Sequence, residues 1–264
     1  PPAADRRTPV ADVHHEDRGR VTRMLSMANA AELIVGARLN RCTWIADDPA
    51  RVLALLPEGT RAHHERRVFT IQYAIDGGAQ TSGLGAHSAT VIGIELDTLG
   101  PDGVVPTRLV THVIASTAAA RDFYAESGCH VSEGDTYVSV FQDVVTAEIR
   151  VDGGSVCVMR TSARVGAPTA YESTHHDYVI TPGGRPVVST LPWVATVASS
   201  WTPLSVEFLD PSHEIAPLQP GREPVVVDGG YSPNASWCWP PLPSVGLRPP
   251  FDLDDPSVAP YAPT

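Results

Sequence analysis

Apolar and polar positions alternate along this chain in short stretches broken by turn residues, the pattern of a protein built mainly from strands. Thr107 to Ala115 alternates so that Val110, His112 and Ile114 share one face and Thr111 and Val113 the other. Arg38 to Ile45, Val68 to Ile75 and Ala89 to Leu96 read as further strands. Val144 to Val151 and Ser155 to Val165 are joined by Asp152-Gly153-Gly154, a hairpin signal. In the second of these, Arg160 and Arg164 share a face with Val156 and Val158, while Cys157, Met159 and Ala163 point the other way. Leu204 to Leu209 and Glu223 to Asp228 complete the strands that the pattern predicts.

Two short helices interrupt them. Asp47, Asp48 and Pro49 open the first, with acids near its positive end and proline in its first turn, and it runs through Leu56. Leu53, Leu55 and Leu56 are expected to pack it onto a sheet. Ser116 and Thr117 cap the second, Ala118 to Ala120 carry it at little entropic cost, and Gly128 stops it in a left-handed conformation. Glu126, Cys129 and His130 then sit where a helix end meets a cavity. Met24 to Gly36 fits a helix and a buried extended segment equally well. Residues 1–20 read as a flexible N-terminal arm, 21–239 as a single domain, and 240–264 as a Pro-rich C-terminal tail.

Composition narrows the partners. With 264 residues and 42% apolar content, the chain can bury one large core or two modest ones. A net charge of −11 argues against nucleic acid and anionic membranes, both of which want a basic face. No apolar run approaches the roughly 18–20 residues of a membrane span, and no signal-like segment opens the chain. The expected partner is a small-molecule substrate. Cys42, Cys129, Cys157 and Cys238 are widely spaced with no Cys-x-x-Cys, which predicts free thiols and a cytoplasmic protein. All 19 basic residues are arginine. Arginine stays protonated and is a poor nucleophile, so no side chain here can form an imine with a ketone.

Several segments, taken in order, resemble the acetoacetate decarboxylase superfamily. WIADDPARVLALLPEG from Trp44 to Gly59 resembles that family's strand–helix entry, and TSGLG from Thr81 to Gly85 its second signature. Ala120-Arg121-Asp122-Phe123 resembles the Gly-Arg-Glu-Leu segment ahead of its catalytic loop. The hairpin from Thr146 to Val165 and Trp201-Thr202-Pro203 with LSVEFLD also fall in register, so the resemblance spans Arg38 to Pro217. It implies an α+β, mainly β protein whose antiparallel sheet closes into a cone-shaped barrel. A few outer helices, an inner small-molecule cavity and a homo-oligomer go with it. The family's Pro-Lys-Lys run falls at about Gly128 and Cys129, and a family glutamate near Ala89, so the imine mechanism does not carry over. The family's pocket arginine corresponds to Arg38.

The catalytic candidates are Arg38 for an oxyanion, His87 or His112 for proton transfer, and Glu126 as a helper acid or base. Gln72, Tyr73, Cys129, Arg160 and Trp201 are candidates for binding substrate. Trp193, Trp201, Trp237 and Trp239 suit either a cavity wall or packing. The pairs His14-His15, His63-His64 and His175-His176 lack HExxH spacing, and polar flanks such as HHERR suggest surface loops. No metal and no cofactor is therefore expected. The leading expectation is a cofactor-free cyclase or aldol/dehydration-type lyase that tailors a polyketide-like natural product. A non-catalytic binder of a small acid is the alternative, and an imine-independent β-keto acid decarboxylase a further one.

Overall fold

The computed structural model describes residues 32–77, 84–99, 106–181 and 187–239. Strands dominate: β1 Glu32–Ile45, β2 Arg67–Ile75, β3 His87–Leu99, β4 Pro106–Ala115, β5 Val131–Glu133, β6 Asp135–Phe141, β7 Val144–Val151, β8 Val156–Val165, β9 Pro168–Ile180, β10 Val187–Ala198, β11 Trp201–Phe208 and β12 Val226–Trp239. The helices are α1 Pro49–Ala54 and α2 Ala118–Glu126, with a 3-10 turn at Ala216–Leu218. The larger sheet runs β3-β2-β1-β12-β10-β9-β4-β5, with β3 also hydrogen-bonded to β4. Its pairings are antiparallel except for β4 with β5 and β4 with β9, which are parallel. A smaller sheet runs β11-β8-β7-β6.

Two cores explain why the central strands read as near-continuous apolar runs. In β3, His87 through Leu96 are all buried, as expected of a strand covered on both faces. On one side of the larger sheet, Leu39, Phe69, Tyr73, Val91, Val113 and Trp237 pack with Tyr124 from α2. On the other, Trp44, Ile92, Ile94 and Ile114 pack against Ile149, Met159 and Val206 of the smaller sheet. A polar seam crosses this second layer. Trp201 Nε1 donates to Asn40 Oδ1 (3.3 Å), Asn40 Nδ2 donates to Thr161 Oγ1 (3.0 Å), and Thr161 Oγ1 donates to Gln72 Oε1 (2.6 Å).

Both helices form where capping predicts. Asp48 caps α1 through bonds from the Ala50 and Arg51 N–H groups. That helix ends at Ala54, and the side chain it buries is Val52, while Leu53 is exposed. Thr117 caps α2, and Gly128 ends it at φ 84°. There the Gly128 N–H bonds Ala125 O and the Cys129 N–H bonds Tyr124 O, the reciprocal pair of a Schellman stop.

Two β-bulges overturn expected faces. The β3–β4 register passes from Ile92↔His112 to Gly93↔Val110, leaving Thr111 as an extra residue on β4. A Cβ on Gly93 would sit 1.9 Å from Leu109 O, so only glycine allows this approach. Alternation flips across the bulge, and Val110 packs with Val113 in the first core while Ile114 joins the second. Val110, His112 and Ile114 therefore do not share a face. In the hairpin, Ile149↔Met159 is followed by Arg150↔Cys157, so Val158 is the extra residue and is buried beside Met159.

Other differences are long-range. β9 and β10 were not predicted, and β12 extends far beyond Asp228 because it pairs along β1 as far as Glu32↔Trp239. The Met24–Gly36 alternatives resolve to strand from Glu32 onward. His63 is fully buried, contrary to a surface loop, because its N–H bonds Glu95 O and Ala62 bridges Leu96. The arm at 1–20, the Thr81–Gly83 part of TSGLG and the tail at 240–264 lie outside the described residues. No helix among the described residues is long and apolar enough to cross a membrane.

Candidate functional site

Cross-strand register builds an apolar cavity on the first face of the larger sheet. Leu39↔Tyr73, Arg41↔Ile71 and Thr43↔Phe69 are neighbours across β1 and β2, and all six line it. Val91, Arg108, Tyr178, Leu191, Trp193 and Trp237 contribute from β3, β4, β9, β10 and β12, and Tyr124 from α2. The free space is narrow, about 50 Å³. A second, outer cleft of about 290 Å³ shares the Leu39, Arg41 and Trp193 walls.

The polar groups on this wall are paired. Tyr73 Oη lies 2.5 Å from Tyr124 Oη and 3.3 Å from His87 Nε2. His87 Nδ1 is 3.0 Å from Gly85 O, and a carbonyl only accepts, so Nδ1 carries the proton and Nε2 is the acceptor. Tyr73 therefore donates to His87 and accepts from Tyr124. Burial lowers the His87 pKa, outweighing its bond to Gly85, and favours the neutral ring.

Deeper in the wall, Arg108 is held by Glu95 Oε1 at 3.1 Å and lies 5.5 Å from the Phe69 ring centroid. Glu95 on β3 and Tyr178 on β9 are its register partners on either side. Burial works against the Arg108 charge, but Tyr178 and Glu95 outweigh it and keep the guanidinium protonated. Burial likewise pushes the Tyr178 hydroxyl above its ordinary range. Arg41, at the junction with the outer cleft, pairs with Asp228.

Of the sequence candidates, Tyr73 and His87 come together here: Tyr73 lines the cavity and His87 stands behind it. Arg38 is one residue out of phase with Leu39 and Arg41, and it bonds Asp76 and Val138 O away from the cavity. His112, turned by the Thr111 bulge, lines a separate cleft with His130. Burial pushes its pKa down to about 4. Glu126 is exposed on the last turn of α2, whose buried residues are Ala120 and Tyr124. Cys129 packs against the first core, and burial pushes its thiol up to about 12, which rules out a ready thiolate. Gln72 is locked in the seam between sheets, with Trp201 at its edge and also on the outer cleft. Arg160 faces outward on the smaller sheet, paired with Glu148 at 2.7 Å.

Arg41, Arg108, Tyr124 and Tyr178 were not singled out from the sequence. For Tyr124 a signal existed: it lies four residues after Ala120 on a short helix, so one face carries both. The arginines carry no such mark, because only pairing to β2, β3 and β9 aims them inward.

No family model and no curated protein matches this sequence. Solved structures do. An acetoacetate decarboxylase aligns with a TM-score of 0.60 at 15% identity, covering 81% of this chain and 88% of that one. The enduracididine biosynthesis enzyme MppR complexed with pyruvate aligns at 0.58 and 12%, covering 86% and 92%. MppR complexed with the condensation product of pyruvate and imidazole 4-carboxaldehyde aligns at 0.54 and 13%, covering 80% and 87%. In architecture, the chain has the acetoacetate decarboxylase-like fold.

Proposed function

We propose that this protein is a cofactor-free tailoring enzyme of natural-product biosynthesis, a cyclase or aldol/dehydration-type lyase that works without a Schiff base. The observation that carries it is the hydrogen-bonded Tyr73–Tyr124 pair on an apolar wall, backed by His87. MppR, a biosynthetic enzyme of the same fold captured with a condensation product, supports carbon–carbon chemistry in such a cavity. The β3–β4 pairing, which joins one end of the strand row to the strand next to its other end, supports a closed cone around it.

Energetics select the role of the pair. Passing a tyrosine proton to histidine costs roughly 5 kcal/mol from their ordinary pKa values, and the lowered His87 pKa adds to that. The tyrosines therefore act as hydrogen-bond and proton donors, not as bases. A substrate acidified by two carbonyls gives up its proton to solvent water on the way in, and the Tyr124 hydroxyl turns from Tyr73 to donate to the enolate oxygen. The enolate carbon then adds to a second carbonyl carbon, whose oxygen takes the Tyr124 proton to give a hydroxyl. In dehydration that hydroxyl leaves as water together with a proton from the neighbouring carbon, and solvent returns the proton to Tyr124. Arg41 exchanges Asp228 for a substrate carboxylate at the entrance, and the Arg108 charge makes the wall favourable to an anion. Orientation in a dry cavity contributes the remainder.

The narrowness of the cavity favours a second reading, a binder of a small acid with no turnover. Incubation with 2-oxo acids plus aldehydes and with β-dicarbonyl substrates, followed by mass spectrometry, separates the two. New mass that depends on Tyr124 supports the enzyme. Ligand bound but returned unchanged across the panel overturns it in favour of the binder.

A further inference from the structure

Away from the cavity, ligand-bearing side chains from separate parts of the chain converge. His112 comes from β4, His130 from the segment between α2 and β5, and Glu214 from the turn ahead of Ala216–Leu218. One ligand atom of each lies within 4.8 Å of the others. His130 Nε2 is 2.8 Å from Glu214 Oε2, and the His112 and His130 rings meet edge to face at 5.2 Å between centroids.

The orientation of His112 is set from behind. Thr111 Oγ1 donates to Ile92 O at 3.1 Å, which uses its proton. It can then only accept from His112 Nδ1, 3.0 Å away, which leaves Nε2 with its lone pair. A metal-binding histidine is usually held by an acceptor on its other ring nitrogen, most often a carboxylate, backbone carbonyl or water, and the Thr111 hydroxyl serves that purpose for His112.

We propose that His112, His130 and Glu214 form a binding site for a divalent transition-metal ion of the zinc type, with an open coordination position facing the adjacent cleft. Two imidazoles and one carboxylate are a ligand set that suits zinc and cobalt, and three protein ligands leave a position for water or a substrate oxygen. Metal–ligand distances of roughly 2.0–2.2 Å require the three groups to draw together slightly. His130 and Glu214 have room to do so, their side chains being 60% and 34% exposed. The cleft lined by His112 and His130 encloses about 340 Å³, enough for a further ligand. None of the adjacent-histidine pairs takes part, and the three ligands are brought together only by the fold. The other candidate group, His63, His64 and Glu65, is a weaker one: its residues are consecutive and Glu65 is held by Arg67.

The test is titration of the untagged, full-length protein with Co²⁺ alone, read by its visible d–d absorption, with Zn²⁺ competing. The expected result is saturation at one equivalent with a tetrahedral spectrum that Zn²⁺ bleaches. Glu214→Gln and His130→Ala, both at accessible side chains, should weaken binding by roughly 100-fold or more, and Thr111→Val by roughly 10-fold. His64→Ala should leave it unchanged. Absence of a saturable band, or a band that survives in Glu214→Gln, overturns the proposal.

Discussion

Arginine–carboxylate pairs occur in two contrasting regions of this molecule. Arg108 and Glu95 meet in the cavity wall with side chains only 8% and 4% exposed. Arg160 and Glu148 meet on the outward face of the smaller sheet at 39% and 16%, where Arg150 and Glu207 extend them into a ladder. Burial would raise the Glu148 pKa, but the hydrogen bonds from Arg150 and Arg160 outweigh it and hold the carboxyl low. The chemistry of the pairs is the same and the surroundings are opposite. In the wall each charge has lost its water and depends on its partner; on the outer face water and neighbouring charges stand in for a lost partner. A residue type that looks functional in sequence is thus decided by the solvent around it.

The largest effect should come from breaking the buried pair. Glu95→Gln leaves the buried Arg108 charge without its carboxylate, and chemical denaturation should show a loss of roughly 3–5 kcal/mol. Replacing both partners, Arg108→Met with Glu95→Leu, should recover most of that. A Glu95→Gln protein as stable as the native chain would erase the distinction between the two regions.

Next come the tyrosines. Tyr124→Phe and Tyr73→Phe each remove a donor from the wall, and turnover should fall by roughly 10²–10³-fold with ligand binding largely retained, as kcat and KM measured separately will show. Glu126→Ala, on the exposed side of α2, should leave both constants unchanged.

Acid should have a smaller, graded effect. Burial, with Arg67 next, pushes the His63 pKa down to about 4 in the folded state. The unfolded chain takes up that proton at its ordinary pKa near 6.5, so between about pH 6.5 and 4 the unfolded state binds more protons and stability falls as pH falls. The loss attributable to His63 should be at most about 3 kcal/mol, and a His63→Gln variant should show a correspondingly flatter unfolding profile over that window. The smallest change is expected on the outer ladder, where Arg160→Ala should cost at most about 1 kcal/mol by the same denaturation measurement, less at high salt.

What could be read from the chain alone follows the range of the interactions involved. The Thr117 cap and the Gly128 stop are local, and both helices and most strands followed from such signals. The resemblance carried by short motifs in order also pointed to the right architecture. The length of β12 was not legible, because VVDGGYSPNASWCW holds glycine and proline and is extended only by pairing with β1 and β10. The site was half legible. Tyr73 and His87 were among the candidates, whereas Arg38 stood for a cavity guanidinium that Arg41 and Arg108 supply. One position along a strand separates Arg38 from the inward face, and periodicity alone does not say which face is inward.

The extra residue at Thr111 has a consequence for how such a protein can change. Substitutions alter what a side chain is, but the surface a strand residue serves is a matter of counting. Shortening β4 by a single codon at this point would exchange the assignments of everything from His112 to Ala115, trading one histidine between the inner chamber and the separate cleft it shares with His130 without altering any letter. Diversification by insertion and deletion is therefore as direct a route to new chemistry on this scaffold as point mutation.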